Sequence, residues 1–192
     1  MSFAGYEKNL RPDKLGFCPR RLERITPWLE KYVDDGKLPF VALAVMRKGE
    51  VAYSSLYGQR DIEKGLPVLE DGLYRIYSMS KLITTVTALS LFESGELMLD
   101  DPIIKYLPNF SNQKVYSSGN FEDMELQTLS SPITIHQLMN HTSGLTYGAF
   151  DPGPVGRAMR KSQIDFGKTN ESLEDLVDRL AKTPLCFQPG SS

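Results

Sequence analysis

Cysteine, histidine and tryptophan are scarce in this chain, at two, two and one among 192 residues. Cys18 and Cys186 are too few and too far apart for a disulfide framework or a thiolate cluster, and read as ordinary buried or half-buried thiols. Neither His136 nor His141 has a second ligand at metal spacing, so neither a metal nor any other cofactor is expected. An excess of one charge is missing too: 22 Lys and Arg face 24 Asp and Glu, a net charge of −2. The basic residues are scattered, which argues against a nucleic acid or an anionic membrane as partner. No stretch approaches the roughly 20 apolar residues of a membrane span. Met1 to Leu10 contains no apolar run that could form the core of a signal peptide, and a cytoplasmic protein is expected. Repeats and low-complexity tracts are absent. What remains, 41% hydrophobic and 24% charged residues, suits a globular chain with one sizeable core.

Residues 1 to 19, with Pro12, Gly16 and Pro19, read as an irregular leading arm. Leu22, Ile25, Trp28, Leu29, Tyr32 and Val33 recur at three- and four-residue spacing and predict a helix, with Pro27 near its first turn and Gly36 ending it. The period then changes. Phe40 to Met46, a turn at Arg47 to Glu50, and Val51 to Tyr57 predict an antiparallel hairpin. A third strand is expected near Leu73 to Ile76, after a charged loop from Asp61 to Gly72. Met79, Leu82, Ile83, Val86, Leu89 and Phe92 predict a central, buried helix from Ser78 to about Ser94, capped by Gly95. Beyond Asp100-Asp101-Pro102, short helical pieces are expected at Ile103 to Leu107, Thr134 to Asn140 and Leu173 to Leu180. Long polar loops such as Ser111 to Ser131 separate them.

A serine hydroxyl is a poor nucleophile at neutral pH and needs a nearby base, which a lysine amine can supply. Residues i and i+3 of a helix share a face, so Lys81 can reach back to Ser78. The helix N-terminus would favour an anion developing at that hydroxyl. Seventeen Ser and twelve Lys make about one Ser-x-x-Lys match expected by chance. Ser111-Asn112-Gln113-Lys114 is indeed a second, but it lies in polar sequence with no burial to depress the lysine pKa. Ser78 stands between an expected strand and an apolar helix. An N-capping role for Ser78 is the competing structural reading.

The run LYRIYSMSKLITTVTALSLFESGELMLDDPIIKYLPNF, Leu73 to Phe110, resembles the serine β-lactamase-like superfamily. That group spans class C β-lactamases, D-aminopeptidases, family VIII carboxylesterases and penicillin-binding proteins. ITIHQLMNHTSGLTYG, Ile133 to Gly148, is similar to the same family's His-Thr-Ser-Gly-Leu segment, and the hairpin and the closing PLCFQPG follow in order. The resemblance implies an α/β (α+β) fold, an antiparallel sheet flanked by helices plus an inserted helical domain. Residues 1-99 would form the N-terminal part of the sheet domain with the nucleophile helix, and 100-192 the first part of the inserted domain. It further implies Ser78 as acylated nucleophile, Lys81 as its activating amine, the Ser78 N–H as one oxyanion donor, and Tyr147 bordering the pocket.

A Tyr-x-Asn or Tyr-Ser-x-Ser motif after a Pro-Gly turn and a later Lys-Thr-Gly or His-x-Gly strand belong to the family. This chain stops at Gln188-Pro189-Gly190-Ser191-Ser192, so it is read as truncated, lacking its C-terminal strands and inactive by itself, with the missing part of the fold as its partner. Ser118-Gly119-Asn120 and Lys168-Thr169-Asn170 imitate family triplets but are read as chance matches, and His141 as a hydrogen-bonding structural residue. The expected substrate is a small-molecule ester of small or medium acyl groups. A transesterase, a β-lactam or D-amino peptide hydrolase, and a non-catalytic penicillin-binding-like protein are the alternatives.

Overall fold

The structure is a computed structural model and describes residues 2–3, 6–7, 11–165 and 170–192. The chain divides into two compact units, Met1–Ile76 and Tyr77–Ser192.

In the first unit, strands β1 (Ser2–Phe3) and β2 (Tyr6–Glu7) pair antiparallel. The leading arm is more ordered than expected: Pro12–Leu15 forms a 3-10 turn and Pro19–Leu22 a short helix, α1. Leu15 is buried, and its carbonyl accepts a hydrogen bond from the Arg47 guanidinium at 3.0 Å. Helix α2 (Ile25–Asp34) carries Pro27 in its first turn and is followed by Gly36 at φ +69°, as its periodicity predicts. The long hairpin pairs β3 (Phe40–Arg47) with β4 (Glu50–Asp61). Lys48 and Gly49 both take positive φ, 54° and 76°, the two-residue turn whose twist matches that of paired strands. Against this hairpin lies α2, with Leu29, Val41, Val51 and Ala52 buried and Thr26 hydrogen-bonded to the Tyr53 hydroxyl at 2.8 Å. Gly58, at φ +97°, allows the closest approach, since a Cβ there would lie 2.5 Å from the Pro39 carbonyl oxygen.

The third strand is β5 (Leu66–Pro67), inside the segment read as a loop, and Leu73 to Ile76 forms none. Asp61 caps the reversal by accepting the Lys64 N–H at 3.1 Å, and Gly65 closes it at φ +63°. The chain therefore turns back on β4 at once, with only two residues left to pair.

The second unit opens with a 3-10 turn, Tyr77–Met79, that runs into helix α3 (Ser80–Glu93). Gly95 ends α3 in a Schellman arrangement: its N–H bonds the Phe92 carbonyl at 3.0 Å and the Glu96 N–H bonds that of Leu91 at 2.9 Å. Further on come 3-10 turns at Ile103–Lys105 and Pro108–Asn112, a hairpin of β6 (Lys114–Ser118) and β7 (Glu125–Thr128), and helices α4 (Ile135–Met139), α5 (Pro154–Lys161) and α6 (Leu173–Ala181). Thr134 and Ser172 begin α4 and α6 with reciprocal capping boxes. The core joins Ile103, Phe110, Val115, Ile133, Ala181 and Leu185. Leu185 is its keystone, because its N–H and C=O bond the Lys114 carbonyl and Tyr116 N–H across β6 at 2.8 and 2.9 Å.

Two expectations fail here. Ser111 to Ser131, read as a polar loop, holds the β6–β7 hairpin, whose pairing buries Val115 alone among its strand residues. Helix α3, expected to be buried, buries none of its residues: Leu82, Ile83 and Val86 are 71%, 62% and 65% exposed. Its apolar side chains run around the whole circumference, a pattern suited to a helix enclosed on all sides, and the described residues cover only part of that surface.

Candidate active site

Ser78 sits in the 3-10 turn, one position earlier in helical geometry than the N-cap reading requires, and α3 begins at Ser80. The preceding Tyr77 holds φ +43°, a left-handed conformation that a bulky aromatic residue adopts only under constraint. This kink leads the chain into α3, with Ser78 exposed just ahead of it. Lys81, three residues on, donates a hydrogen bond from Nζ to Ser78 Oγ at 3.1 Å. The two residues singled out by spacing are thus in direct contact. Ser111 and Lys114 are not: Ser111 lies in a turn, while Lys114 on β6 reaches Thr128 Oγ1 at 3.5 Å.

Beside Lys81 opens a cavity of about 560 Å³ within the second unit. Thr84, Thr85 and Ala88 continue the Lys81 side of α3 along it, and Leu145, Met159 and Leu180 contribute apolar lining. Tyr147 reaches the same place, with its ring centroid 5.7 Å from Lys81 Nζ and the Phe150 ring packed edge-on against it at 5.8 Å. An ammonium at that separation is attracted by the ring face. His141 also lines the cavity and holds φ +64°. Thr85, Ala88 and Asp165 were missed by sequence reasoning. The first two were accessible from the four- and seven-residue spacing after Lys81.

The segment around His141 is held by backbone geometry. Thr142 donates its N–H to the Gln137 carbonyl at 2.9 Å, and Asn140 Oδ1 accepts the Thr142 hydroxyl at 2.7 Å. Gly144 turns at φ +88°, where a Cβ would lie 2.3 Å from the Phe187 carbonyl oxygen. The closing segment laces onto this turn: the Cys186 N–H bonds the Gly144 carbonyl at 2.8 Å, and the Gly190 N–H bonds that of Thr142 at 2.7 Å. Cys186 Sγ donates to Asp151 Oδ2 at 3.3 Å. Burial first, and then that carboxylate, push its thiol up to about 11.

The two triplets read as chance matches stand apart from this arrangement. Ser118 Oγ donates to Glu125 Oε2 at 2.5 Å at the end of the β6–β7 hairpin. Lys168 and Thr169 lie outside the described residues. No group of three or more His, Cys, Asp or Glu able to hold a metal occurs among the described residues. No described helix is long and apolar enough to cross a membrane.

The chain is thus α+β, with a Ser-x-x-Lys pair touching at the start of an apolar helix. The family described as Beta-lactamase matches residues 25–192, and the chain belongs to it. Among curated relatives, esterase EstB of Burkholderia gladioli is 33% identical over 170 residues, covering 88% of this chain and 40% of that protein. Among solved structures, EstCE1, described as a hydrolase with promiscuous acyltransferase activity, superposes with a TM-score of 0.74 at 26% identity, covering 96% of this chain and 44% of its own. Unliganded simvastatin synthase LovD from Aspergillus terreus gives 0.68 at 26% identity, covering 89% and 44% of the two chains. The chain spans about two fifths of the length of the curated relatives it matches, at 39% and 40%.

Proposed function

We propose that this chain carries the nucleophile half of a serine esterase that works through an acyl-Ser78 intermediate. The observation that carries the reading is the 3.1 Å contact between Lys81 Nζ and Ser78 Oγ. With its amine uncharged, Lys81 accepts the Ser78 proton as Oγ attacks the ester carbonyl. The tetrahedral intermediate then collapses, Lys81 returns the proton to the departing alkoxide, and an alcohol leaves. Water then attacks the acyl carbonyl with Lys81 taking its proton. Collapse of this second tetrahedral intermediate breaks the bond to Ser78 Oγ, returns the proton from Lys81 to that oxygen and releases the carboxylic acid. Tyr147 borders the acyl site and, by attracting the ammonium, stabilises the protonated Lys81 formed in each half-reaction. The backbone N–H of Ser78 serves as one oxyanion donor.

If a second alcohol replaces water, the same acyl-enzyme transfers its acyl group. The description of EstCE1 as a hydrolase with promiscuous acyltransferase activity favours that second reading. A second oxyanion donor and a proton-shuttling tyrosine, which the family resemblance assigns to later segments, complete the site in a longer product of the same gene. The 192-residue chain alone is proposed to be inactive, and the whole protein to act on small-molecule esters in the cytoplasm.

A fluorophosphonate applied to the longer, active product and followed by mass spectrometric mapping tests the nucleophile. An adduct on Ser78 is expected, and labelling at Ser111 instead would overturn the assignment. Hydrolysis of p-nitrophenyl esters, measured for this chain and for the longer product, tests the rest. Activity confined to the longer form supports the reading, whereas inactivity of both with Ser78 intact points to a non-catalytic binding protein.

A further inference from the structure

Tyr147 can act on Lys81 only if the turn that carries it is fixed, and the ring itself is exposed. The turn is fixed from below. The Tyr147 carbonyl accepts the Phe150 and Asp151 N–H groups at 3.2 and 2.9 Å, which folds residues 147–151 into a compact loop. Arg160, in the last turn of α5, sends one guanidinium nitrogen to two carbonyls of that loop, those of Gly148 and Asp151, the latter at 2.8 Å. Asp165, just past α5, accepts the Ala149 N–H at 2.8 Å. Packing follows the same line. Gly148 is buried, and a Cβ on it would lie 2.8 Å from Asp165 Oδ2 and 3.0 Å from Arg160 Cγ, while one on Gly156 would lie 2.0 Å from the Asp151 carbonyl oxygen.

We infer that Arg160, assisted by Asp165, is a positioning residue that holds the Tyr147 ring beside the Lys81 amine by clamping the 147–151 loop to α5. The inference rests on the proposed roles of Ser78 and Lys81. A guanidinium suits this task because its planar donors reach backbone carbonyls in fixed directions. Two carbonyls bonded by one charged donor leave the loop little freedom to lift the ring away. Arg160 is hydrogen-bonded to neither Ser78 nor Lys81 and acts through Tyr147, whereas Asp165 ties the same loop and also lines the cavity.

The test reads the ring directly. In the chain labelled with carbon-13 lysine, the Lys81 side-chain resonance is assigned by its loss in Lys81→Arg, and Tyr147→Leu gives its position without the ring current. Arg160→Met is expected to move the resonance at least halfway to that position. Arg160→Lys is expected to retain most of the original shift, and Arg160→Met is expected to add nothing in the Tyr147→Leu background. In the longer product, slower fluorophosphonate labelling of Ser78, on the order of tenfold, is expected to accompany the shift. An unmoved Lys81 resonance in Arg160→Met, or equal additional shifts in the double variant, overturns the clamp. If Arg160→Met does not fold, Asp165→Ala removes the other tie and is read by the same criteria. Absence of any label on wild-type Ser78 of the longer product sinks the hydrolase reading, and the resonance still decides the clamp.

Discussion

Replacing Lys81 by Met keeps an apolar stem of similar length and removes only the amine 3.1 Å from Ser78 Oγ. With the base gone, ester turnover by the longer product is expected to fall by about 10²- to 10⁴-fold with little change in KM, measured by steady-state kinetics. An unchanged kcat would show that Lys81 only neighbours the hydroxyl. The two thiols offer a contrast at the same scale. Cys18 is exposed, whereas Cys186 is half-buried with its thiol raised from the ordinary 9.0 to about 11. Iodoacetamide at neutral pH is therefore expected to alkylate Cys18 well before Cys186, as peptide mapping would show. The thiol of Cys186 stays neutral in the fold above the pH at which it ionises in the unfolded chain. Its contribution to stability is complete below about pH 9 and is lost as pH rises toward 11. Cys186→Ser is expected to flatten that part of the stability curve.

Among the elements, the turn at Gly144 carries a definite expectation. Gly144→Ala places a methyl against the Phe187 carbonyl and forces a non-glycine residue to φ +88°, costing about 1 to 3 kcal/mol or more in denaturant unfolding. Thr134→Ala, which removes the capping box of α4, is expected to cost about 1 kcal/mol. Elements legible in the sequence share one property, a signal that is local and long. The β3–β4 hairpin has a β-branched and aromatic run on each side of a Lys-Gly turn, and α2 and α3 have apolar spacing over several turns. The β5 strand is only two residues long. All of β7 is exposed, so alternation leaves no mark there, and α5 shows only Val155 and Met159 as buried apolar anchors. The site divides in the same way. Ser78 and Lys81 were readable because a three-residue spacing brings them together, whereas Tyr147 was expected only from family resemblance and meets Lys81 through the fold. Arg160 had no sequence signal, because its partners are backbone carbonyls, which look alike at every position.

Considered whole, the molecule combines a conventional buried core in its second unit with an unusually apolar exposed helix. Leu185 is fully buried and anchors β6, so Leu185→Ala is expected to destabilise that unit by about 2 to 5 kcal/mol, read from its unfolding midpoint. The apolar surface of α3 around Leu82, Ile83 and Val86 exceeds what scattered surface residues present. The 192-residue chain is expected to bind a hydrophobic dye in its native state, and an Ile83→Lys, Val86→Glu double variant to bind markedly less at unchanged helical content. Equal dye binding by the two would place the apolar surface elsewhere.

The bonds from Cys186 to Gly144 and from Gly190 to Thr142 also impose an order on the birth of the protein. As the chain leaves the ribosome, residues 142–147 emerge some forty positions before the strand-like stretch that fastens them, and must wait loosely until it appears. Ser78 and Lys81, being neighbours along one helix, need no such delay. The Ser78–Lys81 contact can thus form early in synthesis, while the wall that carries Tyr147 is fastened later.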